Sequence, residues 1–215
     1  MSNSNLVDIV VTSPNSSPRT SKIDTITIHH MATKATAEVC AVSFQPASRK
    51  ASANYCIGYD GSVALSVDES RRSWCSSSRE NDDRAITIEC SNDGGAPDWH
   101  VSDATMEKLI ELCVDICQRN GIPELRYTGD TDGNMTLHKW FASTACPGPY
   151  LESKMEWIQD EVNRRLNVAE QEPGYIYRVQ VGAFKVKSNA VNLLAKLRGE
   201  GYSDAFVAQE VILDE

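Results

Sequence analysis

Four histidines and one cysteine are the residues from which this chain could build hydrolytic chemistry. They are His29, His30, His100, His138 and Cys146. Catalytic zinc sites take three protein ligands from His, Cys and carboxylates and leave a fourth place for water. His29 ends the alternating run Asp24-Thr-Ile-Thr-Ile-His29, so a strand would hold it rigidly, with His30 next to it. His138 and Cys146 are eight residues apart, and the segment between them can loop both back onto one ion. Cys146 precedes Pro147-Gly148-Pro149 and a helical pattern, and a helix start favours thiolate. By spacing alone these residues could equally be unrelated.

The elements that would position them follow from periodicity. Residues 6–11 read as a short strand and 36–45 as a short helix. Residues 54–65 are two strands joined at Asp60-Gly61, a strong hairpin signal. Arg84-Ala-Ile-Thr-Ile-Glu89-Cys90 is a further alternating strand. Residues 102–120 form the clearest helix, capped by Ser102 and stopped by Gly121 and Pro123. Its Cys113 and Cys117, one turn apart among apolar positions, read as packed core. Residues 149–166 give a second amphipathic helix.

Composition sets the outer bounds. The chain has 215 residues, 41% of them hydrophobic and 24% charged, with 21 basic and 30 acidic residues and a net charge of −9. That balance argues against nucleic acid as a partner, because counterion release needs clustered Lys and Arg. No apolar run is long enough to cross a membrane, so no membrane partner is expected. The first residues lack the pattern of a signal peptide. The seven cysteines show no disulfide-scaffold spacing and read as mostly buried free thiols. The acidic Pro-Gly stretch 168–174 reads as a linker between a domain at 1–167 and a unit at 175–215. That last unit has a β-α-β pattern, with strands at 175–181 and 205–213 around a helix at 188–198.

Several segments in register carry a resemblance. They are Ile26-Thr-Ile-His29-His30-Met-Ala-Thr, Ser52-Ala-Asn-Tyr-Cys-Ile-Gly-Tyr-Asp-Gly61, Arg72-Ser-Trp74, Ala85-Ile-Thr-Ile-Glu89 and Leu137-His138-Lys-Trp-Phe-Ala-Ser-Thr144-Ala-Cys146-Pro-Gly148. In order and spacing, over about residues 22–166, the chain resembles the zinc-dependent N-acetylmuramoyl-L-alanine amidases of type 2, the T7 lysozyme and peptidoglycan recognition protein family. The resemblance implies an α/β fold: a central mixed β-sheet flanked by helices, with a zinc cleft. It implies Zn2+ as cofactor, with His29, His138 and Cys146 as its ligands. The implied reaction is cleavage of the amide between N-acetylmuramic acid and the L-alanine of the stem peptide by zinc-activated water. Glu89 stands at the family's strand-end glutamate, the implied general base.

Some positions depart from the pattern. Thr144 stands where some members carry an oxyanion-stabilising lysine, and a hydroxyl is a weaker donor than an ammonium. Lys139 is near in sequence but follows a ligand and is expected to point outwards. Cys75 and Asn54 stand where histidines are common, and Ala53 where a tyrosine-using branch has its catalytic tyrosine. Alternation turns Tyr55 to the face opposite Asn54. His30, Asn54 and Trp74 are expected to line the substrate site, Trp140 to line the cleft or the core, and His100 to lie at the surface.

Tyr177-Arg-Val-Gln-Val-Gly-Ala-Phe184 and the helical pattern after it resemble half of a SPOR domain, which implies binding to septal peptidoglycan. The segment 175–209 holds five basic and two acidic residues, which suits an anionic wall polymer. Half a domain leaves a strand edge open, so a homodimer through this unit is expected. A monomer by light scattering at micromolar concentration would exclude it. Together these features suggest a phage or prophage endolysin, held in the host cytoplasm until lysis. The alternative is a non-catalytic peptidoglycan-binding module. Inhibition of a phage RNA polymerase rests on fold analogy alone.

Overall fold

A computed structural model describes residues 3–169, 180–203 and 205–208. The chain divides into two compact units, Met1–Glu172 and Pro173–Glu215. The strands are β1 (Ile9–Val10), β2 (Ser16–Pro18), β3 (Thr25–His30), β4 (Tyr55–Ile57), β5 (Val63–Leu65), β6 (Arg71–Ser73), β7 (Ala85–Cys90) and β8 (Met135–Leu137). The α-helices of the first unit are α1 (Ala37–Ser43), α2 (Arg79–Arg84), α3 (Asp103–Asn120) and α4 (Gly148–Ala169). A six-stranded mixed sheet runs β1-β5-β4-β7-β3-β8, and β2 and β6 pair as a small antiparallel ribbon. β4, β7, β3 and β8 are mutually parallel, so their carboxyl ends share one edge.

Strict alternation sorts the side chains of these strands. Ile26, Ile28, Ile86, Ile88, Tyr55 and Ile57 face one side and join Leu109, Ile110, Cys113, Ile116, Leu151, Met155 and Ile158 of α3 and α4 in the main core. The helices start and stop where side chains allow. The Ser102 hydroxyl accepts from Thr105 N at 3.1 Å, and Gly121 ends α3 in the left-handed region at φ 65°. The other sheet face carries a smaller apolar cluster under α1, including Cys40, Ala41, Phe44, Cys56 and Ala64.

That second face also carries a polar row beneath the carboxyl edge. Thr27 and Thr136 share a hydrogen bond of 2.8 Å, and Asn81 of α2 bonds both. Ser73 and Thr87 pair at 2.7 Å. Asn54 accepts from Thr87 N at 3.1 Å and donates to Val67 O at 3.1 Å. Each buried polar atom here has a partner, so the row holds the strands in register at little net cost.

On the core side, Tyr55 donates to Glu69, which also pairs with Arg119 at 2.7 Å. Tyr55 therefore lies on the face opposite Asn54, as alternation requires. Glu69 is 1% exposed. Arg119→Ala leaves that carboxylate without its cation, and a loss of about 3–5 kcal/mol of stability is expected. Urea unfolding of the variant checks it.

In the second unit, α5 (Lys187–Gly199) corresponds to the expected helix. Arg198 bonds Ala205 O at 2.9 Å. The strands expected at 175–181 and 205–213 lie largely outside the described residues. Residues 180–181 and 205–208, which are described, carry no regular structure.

Candidate metal centre

His29, Glu89 and His138 meet because of strand register. His29 pairs with Glu89 across β3 and β7, and Ile28 pairs with Leu137, which places His138 one step beyond. The alternation that sends Ile26, Ile28, Ile86 and Ile88 into the core sends His29 and Glu89 to the other face. Cys146 arrives from a loop that folds back. Lys139 N donates to Cys146 O at 3.2 Å and Phe141 N to His138 O at 2.9 Å. The donor atoms of His29, His138 and Cys146 lie within 4.8 Å of one another.

The geometry suits a metal ion. Bonds of about 2.3 Å to sulfur and about 2.0–2.1 Å to nitrogen, at a tetrahedral angle, set S and N about 3.5 Å apart. Cys146 Sγ stands 3.5 Å from His29 Nδ1. His138 Nε2 is buried without a hydrogen-bond partner, an arrangement that would be costly without a ligand. Burial lowers the pKa of both rings, so they are neutral and able to donate a lone pair. Burial raises the Cys146 thiol, with the Glu89 carboxylate adding to it. Metal binding must displace that proton.

Glu89 stands beside this triad. Cys75 Sγ donates to its Oε1 at 3.8 Å, and its Oε2 is enclosed with no partner. Burial pushes the carboxyl up to about 8, against opposing effects of the Cys75 thiol and Arg49. Between pH 4.5 and about 8 the native metal-free chain keeps a proton that the unfolded chain has released. Stability of the metal-free protein therefore falls as pH rises through that window. Glu89→Gln is expected to flatten this slope in thermal unfolding measured across pH. A bound cation would lower the carboxyl again.

The remaining expected residues divide. His30 turns away from His29 and stacks edge-on against Trp99, with ring centroids 5.7 Å apart. A Cβ at Gly148 would come within 2.8 Å of the His30 ring, and Gly148 has φ +83°, so glycine is required there twice over. Thr144 is exposed, and its Oγ1 accepts from Cys146 N at 3.2 Å, which leaves its own hydrogen free to donate. Lys139 points outwards to Glu152 at 2.7 Å. Trp74 is half-buried, with Nε1 on Ser17 Oγ at 3.3 Å. Trp140 stacks on Tyr127 and packs against the main core. Asn54 is fully buried and its carboxamide is used by the polar row. His100 is at the surface, paired with Asp93. Among the described residues all seven cysteines are free thiols, and only Cys75 is not buried. Sequence reading missed Trp99, which sits in a Gly-Gly-Ala-Pro loop that carries no periodic signal. It also missed the contact of Cys75 with Glu89.

The mixed sheet, its carboxyl-edge histidines and the returning cysteine define an α/β protein with a candidate metal site. The chain belongs to the N-acetylmuramoyl-L-alanine amidase family, whose model matches residues 19–149. Residues 173–212 match the SPOR domain. The structure of PlyL is similar at 16% identity and TM-score 0.57, over 71% of this chain and 94% of that one. A mutant endolysin from Bacillus subtilis is similar at 17% identity and TM-score 0.56, over 73% and 99%. A selenomethionine derivative of AmpD is similar at 20% identity and TM-score 0.52, over 73% and 92%. At these identities the likeness is one of fold. No curated protein matches the sequence significantly. The enzyme is a peptidoglycan amidase by family. Among the described residues no helix is long and apolar enough to cross a membrane.

Proposed function

We propose that the chain cuts the bond between N-acetylmuramic acid and L-alanine with a zinc ion held by His29, His138 and Cys146, and with Glu89 as general base. The observation that carries this reading is the meeting of two histidines and one thiol at one sheet edge, beside a buried carboxyl that keeps one oxygen unpartnered. When bound, zinc at these three residues would supply Lewis acidity toward the scissile carbonyl and make water a stronger nucleophile. The Glu89 carboxylate takes the proton of the attacking water and returns it to the leaving alanine nitrogen. The Thr144 hydroxyl donates to the developing oxyanion, one neutral hydrogen bond in place of a charged one. His30 and Trp74 are assigned to contact with the glycan or stem peptide.

Residues 1–167 supply the catalysis and 175–215 the wall attachment, joined by 168–174. The SPOR match supports attachment to peptidoglycan. The expected pairing of two chains through that unit draws no support from the comparisons. The biological role is that of an endolysin, stored in the cytoplasm until the membrane is breached. A chelator is expected to abolish release of stem peptides from purified sacculi, and zinc to restore it. Full activity after complete metal removal would overturn the reading.

A further inference from the structure

The carboxyl edge offers a second set of donors. His29, Cys75 and Glu89 also present three ligand atoms within 4.8 Å of one another. A thiolate and a carboxylate oxygen on one tetrahedral zinc, at about 2.3 and 2.0–2.2 Å, would stand about 3.6 Å apart. Cys75 Sγ and Glu89 Oε1 are 3.8 Å apart. Glu89 Oε2 is enclosed and unpartnered, so the carboxylate has unused acceptor capacity. Cys75 is half-buried as a residue, and its Sγ already lies against Glu89.

We propose that Cys75, Glu89 and His29 form a second seat for zinc or another thiophilic divalent ion, alternative to the His29–His138–Cys146 seat. Both seats draw on His29, and with one ring nitrogen serving both, one ion occupies one or the other. Binding in the second seat releases the Cys75 proton to solvent and engages the carboxylate of Glu89. A chain with its ion there holds metal but has lost its general base. The partition between seats then sets the active fraction of metal-loaded enzyme. This rests on the proposed role of His29, His138 and Cys146.

Cobalt added to the metal-free full chain tests it, because thiolate-to-cobalt absorption reports a sulfur ligand directly. Cys146→Ser is expected to keep a thiolate band although it has lost the sulfur of the first seat. The band is expected to vanish in the Cys146→Ser/Cys75→Ser double variant, and equally with Cys75→Ala as the second change. Circular dichroism checks that each variant folds. No thiolate band in folded Cys146→Ser overturns the second seat, as does a band that survives loss of Cys75. A wild-type band unchanged by Cys146→Ser instead overturns the first seat.

Discussion

Glu89→Gln is expected to lose about 10²–10⁴-fold in the rate of stem-peptide release, the usual contribution of a positioned general base. The amide keeps the size of the side chain and can still accept from Cys75, which donates to Glu89 Oε1. It cannot take a proton from water at neutral pH. Zinc content is expected to stay at the wild-type level, because the first seat does not use this residue. The loss should fall on kcat rather than on binding to sacculi, since the proton moves only in the reaction. Measuring zinc content, sacculus pelleting and product release on one preparation separates these effects. Loss of zinc together with activity would make Glu89 a ligand of the primary ion rather than the base.

His29→Ala is expected to abolish activity and to remove the metal. His29 is fully buried, is shared by both donor sets and has a ring nitrogen 3.5 Å from Cys146 Sγ. Outer partners of metal ligands cost about 10–100-fold in affinity when removed, so loss of a direct ligand should exceed that. The substitution also leaves a cavity at the sheet edge, so folding must be confirmed alongside. His138→Ala is the informative companion. His138 is half-buried and belongs to the first donor set only. It is expected to lose activity while retaining some metal through Cys75 and Glu89. Metal-depleted His138→Ala with active wild type would leave the first seat intact and remove the second.

Period-two alternation placed His29 and Glu89 on one face, while their assignment to a site came from the family resemblance. Ile-Thr-Ile-His and Ile-Thr-Ile-Glu commit their isoleucines to the core, which forces His29 and Glu89 to the opposite face. Spacing alone left the return of Cys146 to His138 open, and the family resemblance is what paired them. Three-residue strands such as β2, β6 and β8 were not legible, because they are too short to show a period. The charged segment of α2 gave no amphipathic signal, yet its Asn81 ties Thr27 to Thr136 under the site. Asn54, expected from its motif position at the substrate site, is buried with its carboxamide in the polar row, a contact that motif position does not encode. Cys75 meets Glu89 across the end of β6 and β7, a contact that no local pattern encodes.

The most direct measurement is mass spectrometry of the products released from purified sacculi by zinc-loaded wild type and by Glu89→Gln. The account predicts free stem peptides beginning at L-alanine from wild type, almost none from the variant, and equal zinc in both. Sacculi that bind the zinc-loaded wild type but release no stem peptide would contradict it.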